Sequence, residues 1–218
     1  MKRILKILLP KAAYDAAKQC FYALVKAKYR TLGRPARQGE SAKARARRLR
    51  EGFFDKYCTG RGLDIGYGGD LLETNCTGWD FEHGDAQYLR GLPDASFDFV
   101  YASHTLEHMV DPGVTLANWW RVLKPGGHLI IFIPERDLYE KKKTLPSRWN
   151  LDHKHFFLLD RDEAPDTIGI VPLIRRLLPG QMIVRAEICR EGHTIDAPDA
   201  HSDGEYSIEV VVKKMPAP

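Results

Sequence analysis

Two stretches carry apolar residues almost without interruption, Phe97 to Ala102 and His128 to Ile133. Such runs mark strands buried on both faces of a sheet, where no alternation is needed. Between them, Val114 to Leu123 sets apolar and aromatic residues on one helical face behind an Asp111-Pro112 start, and Lys124-Pro125-Gly126-Gly127 ends that helix. Upstream, Leu63-Asp64-Ile65 and Thr77-Gly78-Trp79-Asp80 read as two short strands ending near acids, with room for a turn or two of helix from Asp70 to Thr74. The order strand, helix, strand, strand, helix, strand predicts a doubly wound α/β sheet. Downstream, Asp160 to Pro165 opens a helix predicted to run towards Leu178, and Met182–Cys189 and Tyr206–Lys213 read as two strands separated by a polar loop.

The amino-terminal pattern differs. Ile4, Leu5, Leu8, Tyr14, Phe21, Tyr22, Leu24, Val25 and Tyr29 recur at broadly helical spacing among lysines until Gly33 and Pro35 break it. Ser41 to Arg50, with four arginines, reads as a second solvated helix or a flexible linker. The expected organisation is a basic helical extension over 1–50 and one main domain over 51–218. Charge follows this division. Residues 1–56 hold 16 Lys and Arg against 4 acids, net +12, and the remainder of the 218 residues is net −8. A basic amphipathic helix can pack on its own domain with its lysines solvated, lie peripherally on an anionic membrane, or grip nucleic acid, the last being less expected.

No apolar run approaches the ~20 residues of a membrane span. Met1 to Pro10 begins like a signal peptide, but Lys6, Lys11, Asp15 and Lys18 follow without a small-residue cleavage site, so a cytoplasmic, at most membrane-peripheral, protein is expected. Cys20, Cys58, Cys76 and Cys189 lack paired spacing, which argues against a zinc or disulfide framework.

Candidate chemistry centres on Arg61 to Asp70, a strand ending in an acid followed by a glycine-rich turn. Gly66 and Gly68 let the backbone bend sharply and approach a ligand closely. A dinucleotide fingerprint would need a third glycine where Leu71 stands, and Asp70 would repel a pyrophosphate. No Gly-Lys-Ser/Thr follows, which excludes a P-loop. The turn favours a ligand less anionic than NAD, with Asp64 suited to a cationic group. Asp80, at the end of the second strand, suits the two hydroxyls of a ribose.

Leu63-Asp64-Ile65-Gly66-Tyr67-Gly68-Gly69, Gly84-Asp85-Ala86, Phe97-Asp98-Phe99-Val100, Leu106-Glu107-His108 and Arg121 to Gly127 together resemble the successive motifs of class I S-adenosylmethionine-dependent methyltransferases, over roughly residues 60–160. The resemblance implies a Rossmann-like, mostly parallel seven-stranded sheet with S-adenosyl-L-methionine over its first half. It implies Gly66 and Gly68 passing the methionine part, Asp80 on the ribose, Asp85 and Ala86 at the adenine, and Ser103 with His104 on the methyl-transfer side. The sequence departs from the family pattern at Asp70, where a further glycine is common, and in the short segment before Asp80.

Beyond the fourth strand, residues 134–150 read as a loop or lid, and Asp152-His153-Lys154-His155 resembles a subgroup associated with sugar and lipid modification. Histidine suits deprotonation of a hydroxyl near neutral pH. His153 or His155 is the expected general base, with His108 and His104 as rivals, and loop packing is the alternative role for each. No metal is expected, since two neighbouring histidines on a loop are not a ligand set. The expected activity is O-methyl transfer to a glycan, lipid-linked sugar or other small hydroxylated acceptor. An RNA or protein methyltransferase and a non-catalytic binding module remain alternatives.

Overall fold

The computed structural model describes residues 39–216 together with Ala16 and Cys20, both helical. The basic segment expected over 2–32 otherwise lies outside the described residues. The chain divides into two units, Met1–Gln38 and Gly39–Pro218.

The second unit begins with α1 (Glu40–Arg50) and α2 (Phe53–Tyr57), followed by β1 (Gly62–Ile65), β2 (Cys76–Trp79) and β3 (Phe97–Ser103). After a 3₁₀ turn at Leu106–His108 come α3 (Pro112–Val122) and β4 (Leu123–Pro134), then a π-helical turn, Arg136–Glu140. A short parallel pair, β5 (Phe156–Leu158) and β6 (Thr167–Gly169), precedes α4 (Ile170–Leu177), and β7 (Gln181–Cys189) and β8 (Ser207–Lys214) close the chain. Local chemistry sets the boundaries expected of it: the Asp111 carboxylate accepts from the Val114 N–H and caps α3, with Pro112 opening the helix.

The main sheet runs β2-β1-β3-β4-β8-β7, with β1 to β4 parallel and β8 antiparallel to both β4 and β7. Ile65 pairs with both Trp79 and Ala102, and Ser103 pairs with Phe132. The carboxyl ends of the parallel strands therefore reach one edge together, where open α/β sheets bind ligands. One face packs Val100, Ile131 and Val210 against Leu116 and Trp119 of α3 and Ile174 of α4. The other packs Phe99, Tyr101 and Phe132 against Ala44 of α1 and Phe53 of α2.

Four expectations are corrected. Among the described residues the sheet has six strands, not seven. Phe81 to Ser96, broken by Gly84, Gly91 and Pro93, forms only turns, so no described strand lies outside β2. No helix follows β1 either: Tyr67 to Asn75 runs through turns and bends, and the Leu72 N–H is drawn back to the Asp64 carboxylate at 2.7 Å. The helix foreseen from Asp160 begins only at Ile170, because Asp162 accepts from the Gly169 N–H at 2.7 Å and Thr167–Gly169 pairs as a strand with Phe156–Leu158.

Finally, α1 is neither solvated nor a linker. It belongs to the second unit, with Arg47 and Arg48 buried. Arg48 meets Glu209 at 2.6 Å and donates to the Tyr101 hydroxyl at 2.9 Å, while Arg47 meets Glu205 at 2.9 Å and Glu209 at 3.1 Å. Buried guanidinium groups survive only with such partners. Among the described residues, no helix is long and apolar enough to cross a membrane.

Candidate active site

The glycine loop leaves β1 in a backbone conformation that L side chains rarely adopt, with φ of +74° at Gly66, +58° at Gly68 and +88° at Gly69. The two motif glycines serve different ends. A Cβ on Gly66 would stand 2.2 Å from the Thr105 hydroxyl, which is held by the Ile65 and Ser103 carbonyls at 3.2 and 3.0 Å. A Cβ on Gly68 or Gly69 would meet nothing within 4 Å, so the loop there borders open space.

Around this loop the predicted residues fall into two groups. Asp80 belongs to it directly: its carboxylate accepts from the Gly68 N–H at 3.1 Å and the Phe81 N–H at 2.8 Å, and the side chain remains half-exposed. Asp85 is exposed and accepts from the Gln87 N–H, while the Ala86 carbonyl is held by the Trp119 indole N–H at 2.9 Å. Asp64 is placed differently from expectation. It lies buried beneath the loop, where its carboxylate accepts from the Leu72 N–H. Burial pushes its carboxyl up to about 7, against the opposing pull of the Leu72 hydrogen bond. Ser103, half-buried at the end of β3, engages the loop through its carbonyl and Thr105.

The fold gathers a second group beside the first. His104, at φ +48°, directs Nδ1 towards Glu107 at 3.9 Å and holds Nε2 against the Ser207 hydroxyl at 2.9 Å. His108 Nε2 and His153 Nε2 each stand 3.8 Å from Glu107 Oε1, and the two rings lie 4.9 Å apart. His153 Nδ1 meets Glu140 Oε1 at 2.5 Å, and Glu140 Oε2 accepts from Ser147 at 2.6 Å. The Lys154 N–H donates to the Glu107 carbonyl at 2.8 Å, tying the His153 segment to the Leu106–His108 turn.

Glu107 and His153 are both buried. Burial raises the Glu107 carboxyl to about 7, with His153 opposing the rise, and burial together with His153 and His108 lowers the His104 imidazole well below its ordinary value. His155 is not part of this group. Its Nε2 lies 3.3 Å from the Val110 carbonyl, and only His153 of the expected pair faces inward. The segment read as a lid contributes a wall instead, with Leu138, Tyr139 and Glu140 buried.

Glu107 and Glu140 were in motifs visible in the sequence, but nothing local assigned them a role. Their meeting with His153 depends on contacts between distant segments.

The residues present fit S-adenosylmethionine: the backbone at Gly68 and Gly69 is open, the half-exposed Asp80 carboxylate adjoins it, and acids suit a sulfonium and an ammonium. Comparison with known proteins points the same way. Residues 66–131 match the family model described as a methyltransferase domain. A ubiquinone/menaquinone biosynthesis C-methyltransferase UbiE of Saccharophagus degradans is 35% identical over 82 residues, 36% of this chain and 29% of the relative. A probable S-adenosylmethionine-dependent methyltransferase of Mycolicibacterium smegmatis is 27% identical over 113 residues, 41% of this chain and 44% of the relative. A 27-O-demethylrifamycin SV methyltransferase of Amycolatopsis mediterranei is 47% identical over 51 residues, 23% of this chain and 18% of the relative. The matches thus span less than half the length of these curated relatives.

In fold, the chain resembles an S-adenosylmethionine-dependent methyltransferase from Archaeoglobus fulgidus, with a TM-score of 0.51 at 21% identity, covering 89% of this chain and 100% of the other. Residues 66–131 thus resemble a methyltransferase domain, and the glycine loop and sheet order agree with the fold of the S-adenosylmethionine-dependent methyltransferases.

Proposed function

We propose that the protein transfers the methyl group of S-adenosylmethionine to a hydroxyl oxygen of a small acceptor, with glycans and lipid-linked sugars foremost. The observation that carries this reading is the adjacency of the glycine loop to the Glu107–His153–Glu140 group through Thr105, whose hydroxyl bonds the end of β1 two residues before Glu107. S-adenosylmethionine, when bound, supplies an electrophilic sulfonium methyl. The glycine loop and Asp80 would hold the cofactor, so the methyl and the acceptor oxygen meet in line at roughly 3 Å and positioning supplies much of the acceleration.

An aliphatic hydroxyl must lose its proton as the new bond forms. His153, fixed through Nδ1 by Glu140, would take that duty with Nε2 turned inward. The relatives include both a C-methyltransferase and a methyltransferase named for an O-demethylated compound, so relatedness alone does not choose the acceptor atom. The buried acid–histidine group favours oxygen.

The test is calorimetric titration with S-adenosylhomocysteine of the native chain and of Asp80→Ala, followed by a screen of hydroxylated acceptors with labelled cofactor. Micromolar binding weakened at least tenfold in the variant, with label entering an ether linkage, is expected. A folded protein that does not bind S-adenosylhomocysteine would sink the reading.

A further inference from the structure

Glu107 is fully enclosed, yet neither carboxylate oxygen has a hydrogen-bond partner among the described residues. An ionisable group left so is costly. The polar atoms around it are spaced for an intervening atom rather than for one another. His108 Nε2 and His153 Nε2 both stop 3.8 Å from Oε1, beyond hydrogen-bond reach, and the three donor atoms all lie within 4.8 Å of one another. Bonds of ~2.0–2.1 Å to a common ion would put neighbouring donors about 3.0–3.4 Å apart, so each histidine nitrogen need approach Glu107 by only about 0.4–0.8 Å.

The outer contacts suit the same arrangement. His153 gives its other ring nitrogen to Glu140, itself held by Ser147, and His104, whose Nδ1 faces the group, is anchored at Nε2 by Ser207. Metal-binding histidines are commonly oriented by such a second contact.

A second acidic group, Glu187, Cys189 and Glu209, has comparable donors. It differs in charge: Glu209 is met by Arg47, Arg48 and Arg185, and Glu187 by Arg185, so its acids are already neutralised. Among the described residues, the ion-pair partners of Glu107 are His104, His108 and His153, with no guanidinium.

We propose that Glu107, His108 and His153 bind one divalent first-row cation of the zinc class, on which the acceptor's hydroxyl is held and ionised. Two imidazoles and a carboxylate are a donor set for zinc, iron(II), cobalt or nickel, and leave coordination positions open for substrate oxygens. The substrate class narrows accordingly to acceptors with two neighbouring oxygens, such as vicinal diols or hydroxy ketones, which can chelate the ion. The bound hydroxyl releases its proton to solvent, its oxygen forms the new O–C bond, and the electron pair of the broken C–S bond stays with sulfur. This role rests on the methyl-transfer reading above and replaces the free imidazole as the means of activating the hydroxyl.

The test uses the untagged full chain, stripped with chelator, dialysed, and titrated calorimetrically with Zn²⁺ and spectroscopically with Co²⁺. One equivalent per chain at micromolar affinity or tighter is expected, weakened at least tenfold by Glu107→Gln and by His153→Ala and unchanged in His155→Ala. Circular dichroism checks each fold, and Glu107→Gln preserves side-chain shape while removing the uncompensated charge. Absence of stoichiometric binding by the folded native chain, or equal affinity in Glu107→Gln and His153→Ala, overturns the proposal. S-adenosylhomocysteine titrations of the same samples separate the two ideas. Cofactor binding without metal binding overturns the metal site alone, whereas metal binding without cofactor binding supports the site and removes the methyl-transfer reading.

Discussion

Substituting Gly66 by alanine tests how the glycine loop is joined to the rest of the site. The new Cβ would stand 2.2 Å from Thr105 Oγ1, and the backbone would keep a φ of +74°. The left-handed conformation costs an alanine about 1–2 kcal/mol. To clear the overlap, the Thr105 hydroxyl must leave the Ile65 and Ser103 carbonyls, between which its one proton is shared, at a net loss of about 1–1.5 kcal/mol. Gly66→Ala should therefore lower stability by about 2–3.5 kcal/mol. Gly68→Ala, with open space around its Cβ, should lose only the conformational part, about 1–2 kcal/mol. Urea denaturation followed by circular dichroism measures both. The steric part is isolated by adding Thr105→Ala, which removes the offending oxygen. On a double-mutant cycle, the pair should be about 1–2 kcal/mol more stable than the separate losses predict. Equal losses for Gly66→Ala and Gly68→Ala, or strict additivity with Thr105→Ala, would refute the account of the loop.

Other perturbations probe the remaining claims. Asp64, with its folded pKa at about 7 against an ordinary 3.8, binds its proton more tightly when folded, so stability should fall as pH rises from about 4 to 7. At ~1.4 kcal/mol per pKa unit the loss approaches about 4 kcal/mol. Asp64→Asn, which keeps an acceptor for Leu72, should flatten that fall, and denaturation at pH 4.5 and 8 that shows the same slope in both proteins would contradict it. Glu209→Ala should cost about 3–5 kcal/mol in denaturant, since it strips Arg48 of its carboxylate partner at full burial; a loss below 1 kcal/mol would mean that the pair is solvated. Once an acceptor is known, His153→Ala and Glu140→Gln should each lower turnover at least tenfold, about 1.4 kcal/mol in the barrier, with S-adenosylhomocysteine affinity within twofold. His155→Ala should turn over normally, and the reverse ranking of the two histidines would overturn the assignment to His153.

The parts of the fold legible in the sequence are those set by neighbours along the chain. The apolar runs of β3 and β4, the Asp111-Pro112 start of α3 and the glycine loop stand where the pattern puts them, within a residue or a few. Long-range partners were not legible. Arg47 and Arg48 look like a solvated charge run until Glu205 and Glu209, some 160 positions away, are brought beside them. His153 and His155 are equivalent in sequence, and only Glu140, Glu107 and the Val110 carbonyl tell them apart. The burial of Asp64 was not legible either, since it goes with a turn, Tyr67 to Asn75, that stands where a helix was expected.

The position of β8 has a consequence for the order in which the protein can mature. Synthesised after the other described strands, it lies inside the sheet, between β4 and β7, and among the described residues β7 joins the sheet through it. It also carries Ser207, which anchors His104, and Glu209, which receives Arg48. Until Ser207–Lys214 has emerged from the ribosome, β4 presents an open edge, α1 holds arginines without their acids, and the site lacks one of its supports. Folding of this unit therefore waits on the translation of Ser207–Lys214, and a nascent chain stalled before residue 207 should be readily proteolysed and unable to retain cofactor.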